Sequence, residues 1–318
     1  PRAGAAPSRT EPNAPPLTRA RRSPAGAGLL AVALSMPGCA ATRLPGLSYA
    51  ELATASLSSP ARFLVLEPPS YRRETGRRYP VLVFLHDGYG DVRTLERRGV
   101  AAELAARMSD GRLDEFLIVA PGASGSWFSD SRDGKRRWEE FLTGDFLREL
   151  ATRYRILPGK SGRAITGISM GGFGAVKIAL KHPGLFGSVS ALSGALIPIQ
   201  WEDLERYGWI TRLTLKRVFG NRPDGNTLAA NDVWEILRGT RFERPPFDAH
   251  LRAGTEDFYG LDRVAAQFGT YMNEHGIPTE VVLEPGDHDW RYWRRGLVAI
   301  AEWHAKRFSY DAGGAQEP

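Results

Sequence analysis

The stretch that decides the fold is Arg163-Ala164-Ile165-Thr166-Gly167-Ile168-Ser169-Met170-Gly171-Gly172-Phe173-Gly174-Ala175. Its first six residues read as a buried strand, and Gly172 to Lys181 reads as a helix. Between them stands Gly167-Ile168-Ser169-Met170-Gly171, a Gly-x-Ser-x-Gly pattern at a strand-to-helix turn. A turn this sharp strains the serine backbone and leaves little room for side chains beside it. Gly167, Gly171 and Gly172 supply that room. The geometry lifts the Ser169 hydroxyl clear of the sheet as a candidate nucleophile. It also puts the Met170 N–H at a helix N-terminus, where it can face a developing oxyanion.

Working outward, short apolar runs alternate with amphipathic stretches. Arg62–Leu66, Pro80–Leu85, Phe116–Ala120, Gly187–Leu192, Phe247–Ala253 and Glu280–Leu283 are predicted strands. Val100–Met108, Trp138–Tyr154, Leu261–His275 and Trp290–Phe308 are predicted helices, with Trp138, Phe141, Leu142, Phe146, Leu150 and Tyr154 at helical spacing. Alternation of this kind implies a mostly parallel sheet covered on both faces. Residues 196–245 break the rhythm with Trp201, Trp209, Trp234, short helical patches and a Pro-Asp-Gly turn. They read as an insertion over one end of the sheet, without the long apolar helix face of a lipase lid.

A serine hydroxyl needs a base to attack. Among His182, His250, His275 and His288, only His288 lies in a loop directly after a predicted strand, where α/β sheets place their chemistry. Asp287 and Asp289 flank it; a metal reading is conceivable, but adjacent residues rarely converge on one ion. The carboxylate that orients the histidine is expected in the loop after the preceding strand, Gly254-Thr255-Glu256-Asp257-Phe258. Asp257 is the favoured member, with Glu256 also of the right type. A second oxyanion donor is expected from His86-Asp87-Gly88-Tyr89-Gly90: the N–H of Gly88, with Tyr89 or Asp87 as alternatives. His86 reads as a structural loop residue.

The combination of Leu85–Gly90, Trp127-Phe128-Ser129-Asp130, Gly167–Ala175, Gly254–Phe258 and Gly286-Asp287-His288-Asp289-Trp290 resembles the esterase D-like family of α/β-hydrolases. That family includes feruloyl, acetyl-xylan and tributyrin esterases, S-formylglutathione hydrolases, enterochelin esterases and antigen 85-type acyltransferases. The resemblance spans about residues 60–308. It implies the α/β-hydrolase fold, a triad of Ser169, Asp257 and His288, an acyl-serine intermediate, and neither cofactor nor metal. Short-chain acyl, acetyl or feruloyl esters, some carbohydrate-linked, are the implied substrates. Acyl transfer to a sugar acceptor and a non-catalytic binding module are the alternatives. The chain has Asp87 where the family often has glycine.

Composition fits a globular domain: 318 residues, 42% hydrophobic and 25% charged. The formal charge of +6 gathers in residues 1–45, where six arginines face one acid, Glu11. Clustered there, it argues against a nucleic-acid partner for the folded part. Arg19, Arg21 and Arg22 precede the apolar Gly28–Leu34 and the boundary Met36-Pro37-Gly38-Cys39. That order is the pattern of an export signal, with Cys39 a candidate lipid anchor. Residues 1–59 are therefore expected as a disordered extension, 60–310 as the esterase domain, and 311–318 as a disordered tail.

Overall fold

A computed structural model describes residues 44–310, apart from 199–200, 202–203 and 205–207. The export pattern, Cys39 and the 311–318 tail lie outside the described residues.

Eight strands form one sheet: β1 Leu47–Leu52, β2 Ala61–Leu66, β3 Val81–Leu85, β4 Leu117–Pro121, β5 Arg163–Ile168, β6 Ser188–Leu192, β7 Asp248–Gly254 and β8 Thr279–Glu284. Their order is β1-β2-β4-β3-β5-β6-β7-β8. β1 pairs antiparallel with β2, and β2 with β4; every other pairing is parallel. This is the architecture that the serine turn and the strand–helix alternation predict.

Because successive side chains on a strand point to opposite faces, each central strand feeds two cores. Val81, Val83 and Leu85 of β3 join one apolar cluster. Leu82 and Phe84 join the other. Helices α1 Thr94–Arg97, α2 Val100–Ser109 and α3 Trp138–Glu140 precede α4 Leu147–Arg153 and α5 Met170–Lys181. Next come α6 Trp209–Phe219, α7 Gly225–Ala229, α8 Val233–Arg238, α9 Leu261–Glu274 and α10 Trp290–Ala305. α2 and α10 cover the second core through Leu104, Met108, Leu297 and Ile300. α4, α5, α8 and α9 cover the first through Leu150, Val176, Leu237 and Phe268. Among the described residues, no helix is long and apolar enough to cross a membrane.

Three expectations are corrected. The extension does not run to residue 59, because Leu47–Leu52 forms β1, in register from Leu47 opposite Leu66 to Leu52 opposite Ala61. An edge strand paired on one side needs few apolar residues, so its sequence signal is weak. Trp138–Tyr154 is not one α-helix, since Phe141–Phe146 between α3 and α4 forms a π-turn. There Thr143 Oγ1 bonds back to the Glu139 carbonyl at 2.9 Å. Residues 196–245 do not form a uniform insertion over the sheet end. Trp234 of α8 packs on Phe268 and Tyr271 of α9, with ring centroids 4.8 and 5.2 Å apart, so α8 belongs to the helical layer. α6 reaches the loop after β4, where Thr214 Oγ1 accepts from Trp127 Nε1 at 3.0 Å, and α8 reaches the loop after β6, where Trp234 Nε1 donates to the Leu196 carbonyl at 2.6 Å.

Candidate active site

Ser169 links β5 to α5 at φ 52° and ψ −113°, one of four described non-glycine residues with positive φ. Strain of this kind persists only where the surroundings hold it. Here they do so by close packing. A Cβ on Gly171 would lie 2.1 Å from the Leu85 carbonyl oxygen and 2.7 Å from that of His86. One on Gly167 would lie 2.2 Å from the Gly171 backbone. The loop after β3 therefore presses directly on the serine turn.

The structure brings the three sequence candidates together. His288 Nε2 lies 3.1 Å from Ser169 Oγ. His288 Nδ1 lies 2.8 Å from Asp257 Oδ2. The carboxylate accepts the Nδ1–H, which leaves the Nε2 lone pair facing the serine hydroxyl. Asp257 is buried against the imidazole, whereas Glu256 is exposed. The second oxygen, Asp257 Oδ1, accepts the Tyr259 N–H at 3.0 Å.

The loops after β7 and β8 are joined backbone to backbone. Thr255 N–H donates to the Glu284 carbonyl and Glu256 N–H to that of Gly286, at 3.0 and 2.9 Å. They meet so closely that a Cβ on Gly254 would lie 2.1 Å from the Gly286 oxygen. Asp287 is a brace: its Oδ1 accepts from the His288 N–H at 2.7 Å and the Phe258 N–H at 3.2 Å. Asp289 caps α10 by accepting from the Arg291 and Tyr292 N–H groups. Both flanking carboxylates thus serve the loop backbone.

The imidazole sits among ring edges: Trp293 at 4.8 Å, Tyr259 at 4.9 Å and Phe258 at 5.8 Å between centroids. Trp293 is fixed in turn by donating from Nε1 to Ser193 Oγ at 3.2 Å. Sequence reasoning missed this pair. Ser193 follows β6 at φ 45°, and only the fold brings it to α10.

Beside the serine, the loop after β3 turns on Asp87. Its carbonyl accepts the Gly90 N–H at 3.0 Å and its buried carboxylate the Tyr89 N–H at 2.9 Å, which holds Gly88 between them. The aspartate in the glycine position thus ties the turn. His86 is buried, with Nδ1 donating to the Asp87 carbonyl at 2.7 Å and Nε2 accepting from Ala123 N–H at 2.9 Å. Burial lowers its pKa, in keeping with the neutral form these bonds require. Met170 opens α5, where the first N–H groups lack intrahelical acceptors.

The other histidines serve the scaffold. His182 meets Glu139 at 3.2 Å, and His275 bonds the Tyr271 carbonyl. His250 faces Glu280 at 3.5 Å. His304, which the sequence reading did not weigh, is buried between Ser188 and Ser190.

Lys177 on α5 also escaped the sequence reading, hidden inside an ordinary helical pattern. It is fully buried and meets Glu139 at 3.0 Å, the Phe128 carbonyl at 3.2 Å, Asn231 Oδ1 at 3.2 Å and the Ser129 hydroxyl. Glu139 also pairs with Lys181 at 2.6 Å. Burial alone would raise the Glu139 pKa. The His182 hydrogen bond and the Lys177 and Lys181 charges outweigh it and hold the carboxyl well below the usual range. The Phe128 carbonyl on Lys177 belongs to the Trp127-Phe128 turn, whose φ angles are 53° and 47°. The ammonium thus ties this strained turn to α5.

With this geometry in place, relatives are informative. The family model described as "Putative esterase" matches residues 54–304. The chain belongs to that esterase family. An esterase of Mycobacterium tuberculosis is 36% identical over 271 residues, covering 78% of this chain and 56% of that protein. The chain thus spans little more than half the length of that relative. A ferulic acid esterase structure superposes with a TM-score of 0.66 at 24% identity, covering 83% of this chain and 98% of its own. The MPT51 structure of Mycobacterium tuberculosis does so with a TM-score of 0.60 at 20% identity, covering 83% and 99%. At these identities the two structures establish the shared α/β-hydrolase fold.

Proposed function

We propose that this chain is a serine carboxylic-ester hydrolase that works through an acyl-serine intermediate. The observation that carries the reading is the hydrogen-bonded line from Asp257 through His288 to Ser169, at a strained turn opening a helix. His288 Nε2 takes the hydroxyl proton as Oγ attacks the ester carbonyl, and Asp257 stabilises the imidazolium that forms. The N–H groups of Met170 and Gly88 receive the oxyanion. His288 then protonates the departing alcohol, and water admitted to the same position releases the acid. No step calls on a metal or cofactor.

Short-chain acyl, acetyl and feruloyl esters are the substrates we assign, in line with the family and with the ferulic acid esterase among the structures of the same fold. Transfer of the acyl group to a sugar hydroxyl shares the first half of this cycle and differs only in what enters after the alcohol leaves.

Incubation with p-nitrophenyl acetate tests the reading. The chain should release nitrophenol, and mass spectrometry of quenched protein should find acetyl on the peptide bearing Ser169. Ser169→Ala should remain folded and lose both signals. Undiminished turnover in that variant would refute the assignment. Adding a sugar acceptor separates hydrolysis from transfer, since acetylated sugar appears only in the second case.

A further inference from the structure

Helix α6 has two faces with different tasks. Leu215, Val218 and Phe219 are buried against Leu204, with Trp201 and Trp127 beside them. The opposite face is open: Trp209 is 67% and Leu213 58% exposed. At about 3.6 residues per turn, Trp209 and Leu213 lie side by side at the centre of that face. Arg212 and Lys216 fall on one flank and Arg217 on the other, with Lys216 and Arg217 exposed. No acid occurs from Trp209 to Arg222, a stretch that holds Arg212, Lys216, Arg217 and Arg222. Among the described residues, no carboxylate pairs with Arg212, Lys216 or Arg217.

A soluble surface has no need of a tryptophan and a leucine set together between cations that no described carboxylate pairs. An anionic lipid surface accommodates both halves: the apolar pair enters the headgroup boundary and the flanking cations meet lipid phosphates. The location adds to the argument. Thr214 of α6 bonds to Trp127, whose ring packs on Phe173 at 5.6 Å, one helical turn beyond Ser169. Tyr89, Phe258 and Tyr259, the exposed aromatics of the loops after β3 and β7, stand at the same end of the sheet.

We infer that α6 docks this end of the molecule on an anionic lipid–water interface. This inference stands apart from the ester chemistry, because docking needs no turnover.

Cosedimentation of the chain with vesicles tests it. One set contains phosphatidylcholine alone and the other an equal mixture of phosphatidylcholine and phosphatidylglycerol. The chain should pellet with the mixed vesicles and be released by high salt. Each basic side chain near such a surface strengthens binding roughly fivefold. Lys216→Gln with Arg217→Gln should therefore weaken binding about twenty-five-fold. Trp209→Ala with Leu213→Ala should weaken it by at least tenfold. Unfolding temperatures close to that of the parent establish that each variant is folded. No binding to the mixed vesicles, equal binding to both sets, or unchanged binding in the folded variants would overturn the proposal. So would a dimer that Trp209→Ala and Leu213→Ala disperse while vesicle binding is absent.

Discussion

Replacing Gly171 by alanine tests whether the packing of the serine turn sets the reaction geometry. The new methyl would sit 2.1 Å from the Leu85 carbonyl oxygen and 2.7 Å from that of His86. A relaxed carbon–oxygen contact needs roughly 3.2 Å, so the loop after β3 and the start of α5 must separate by about 1 Å. Both contacts are to backbone, and no flexible side chain can give way. Forced overpacking of this kind costs about 1–3 kcal/mol, which a domain of this size survives. The functional cost is larger, because Gly88 and Met170 lie on the two sides of the widened gap. A displacement of about 1 Å is enough to lose roughly a hundredfold in rate. Gly171→Ala should therefore stay folded with a lowered unfolding temperature and lose about a hundredfold in kcat on p-nitrophenyl acetate. Gly184→Ala, with open space around its Cβ, is the matched control and should behave like the parent. Parental kcat in a folded Gly171→Ala protein would show that the contact with the β3 loop does not position the oxyanion donors.

Three further perturbations follow from the same structure. Asp257→Asn keeps the side-chain shape but removes the charge behind His288, and should lower kcat by about ten-thousandfold with little change in KM, measured on the same ester. Lys177→Met strips the buried Glu139 of its most enclosed partner and should cost about 3–5 kcal/mol in a urea titration. Glu139 has a folded pKa held below its unfolded value, so its contribution to stability is present above the unfolded value and is lost as pH falls towards the folded one. The unfolding temperature should accordingly drop as pH falls below about 4.5, and Glu139→Gln should flatten that dependence; an identical slope in the variant would remove Glu139 as its source.

The local signals were legible because they are short-range. A strand ending in Gly-x-Ser-x-Gly before a helix determines the serine turn, and alternating runs such as Val81–Leu85 determine a two-faced sheet. His288 stood out because its loop follows a strand. Signals that depend on partners were not legible. β1 lacked an apolar pattern because one neighbour suffices for it, and the π-turn at Phe141–Phe146 leaves no mark in the apolar spacing.

The sequence by itself determined the fold class and singled out Ser169 and His288 as candidates in chain order. Only the tertiary structure set a buried Asp257 against His288 and left Glu256 exposed. It alone revealed Lys177 beneath the Trp127-Phe128 turn, Ser193 behind Trp293, and Asp87 as the tie of the loop after β3. The physical reason is common to all of these. Propensity and periodicity act between residues a few positions apart. Burial and hydrogen bonding across the sheet end join residues separated by tens of positions, and they exist only once the chain has closed.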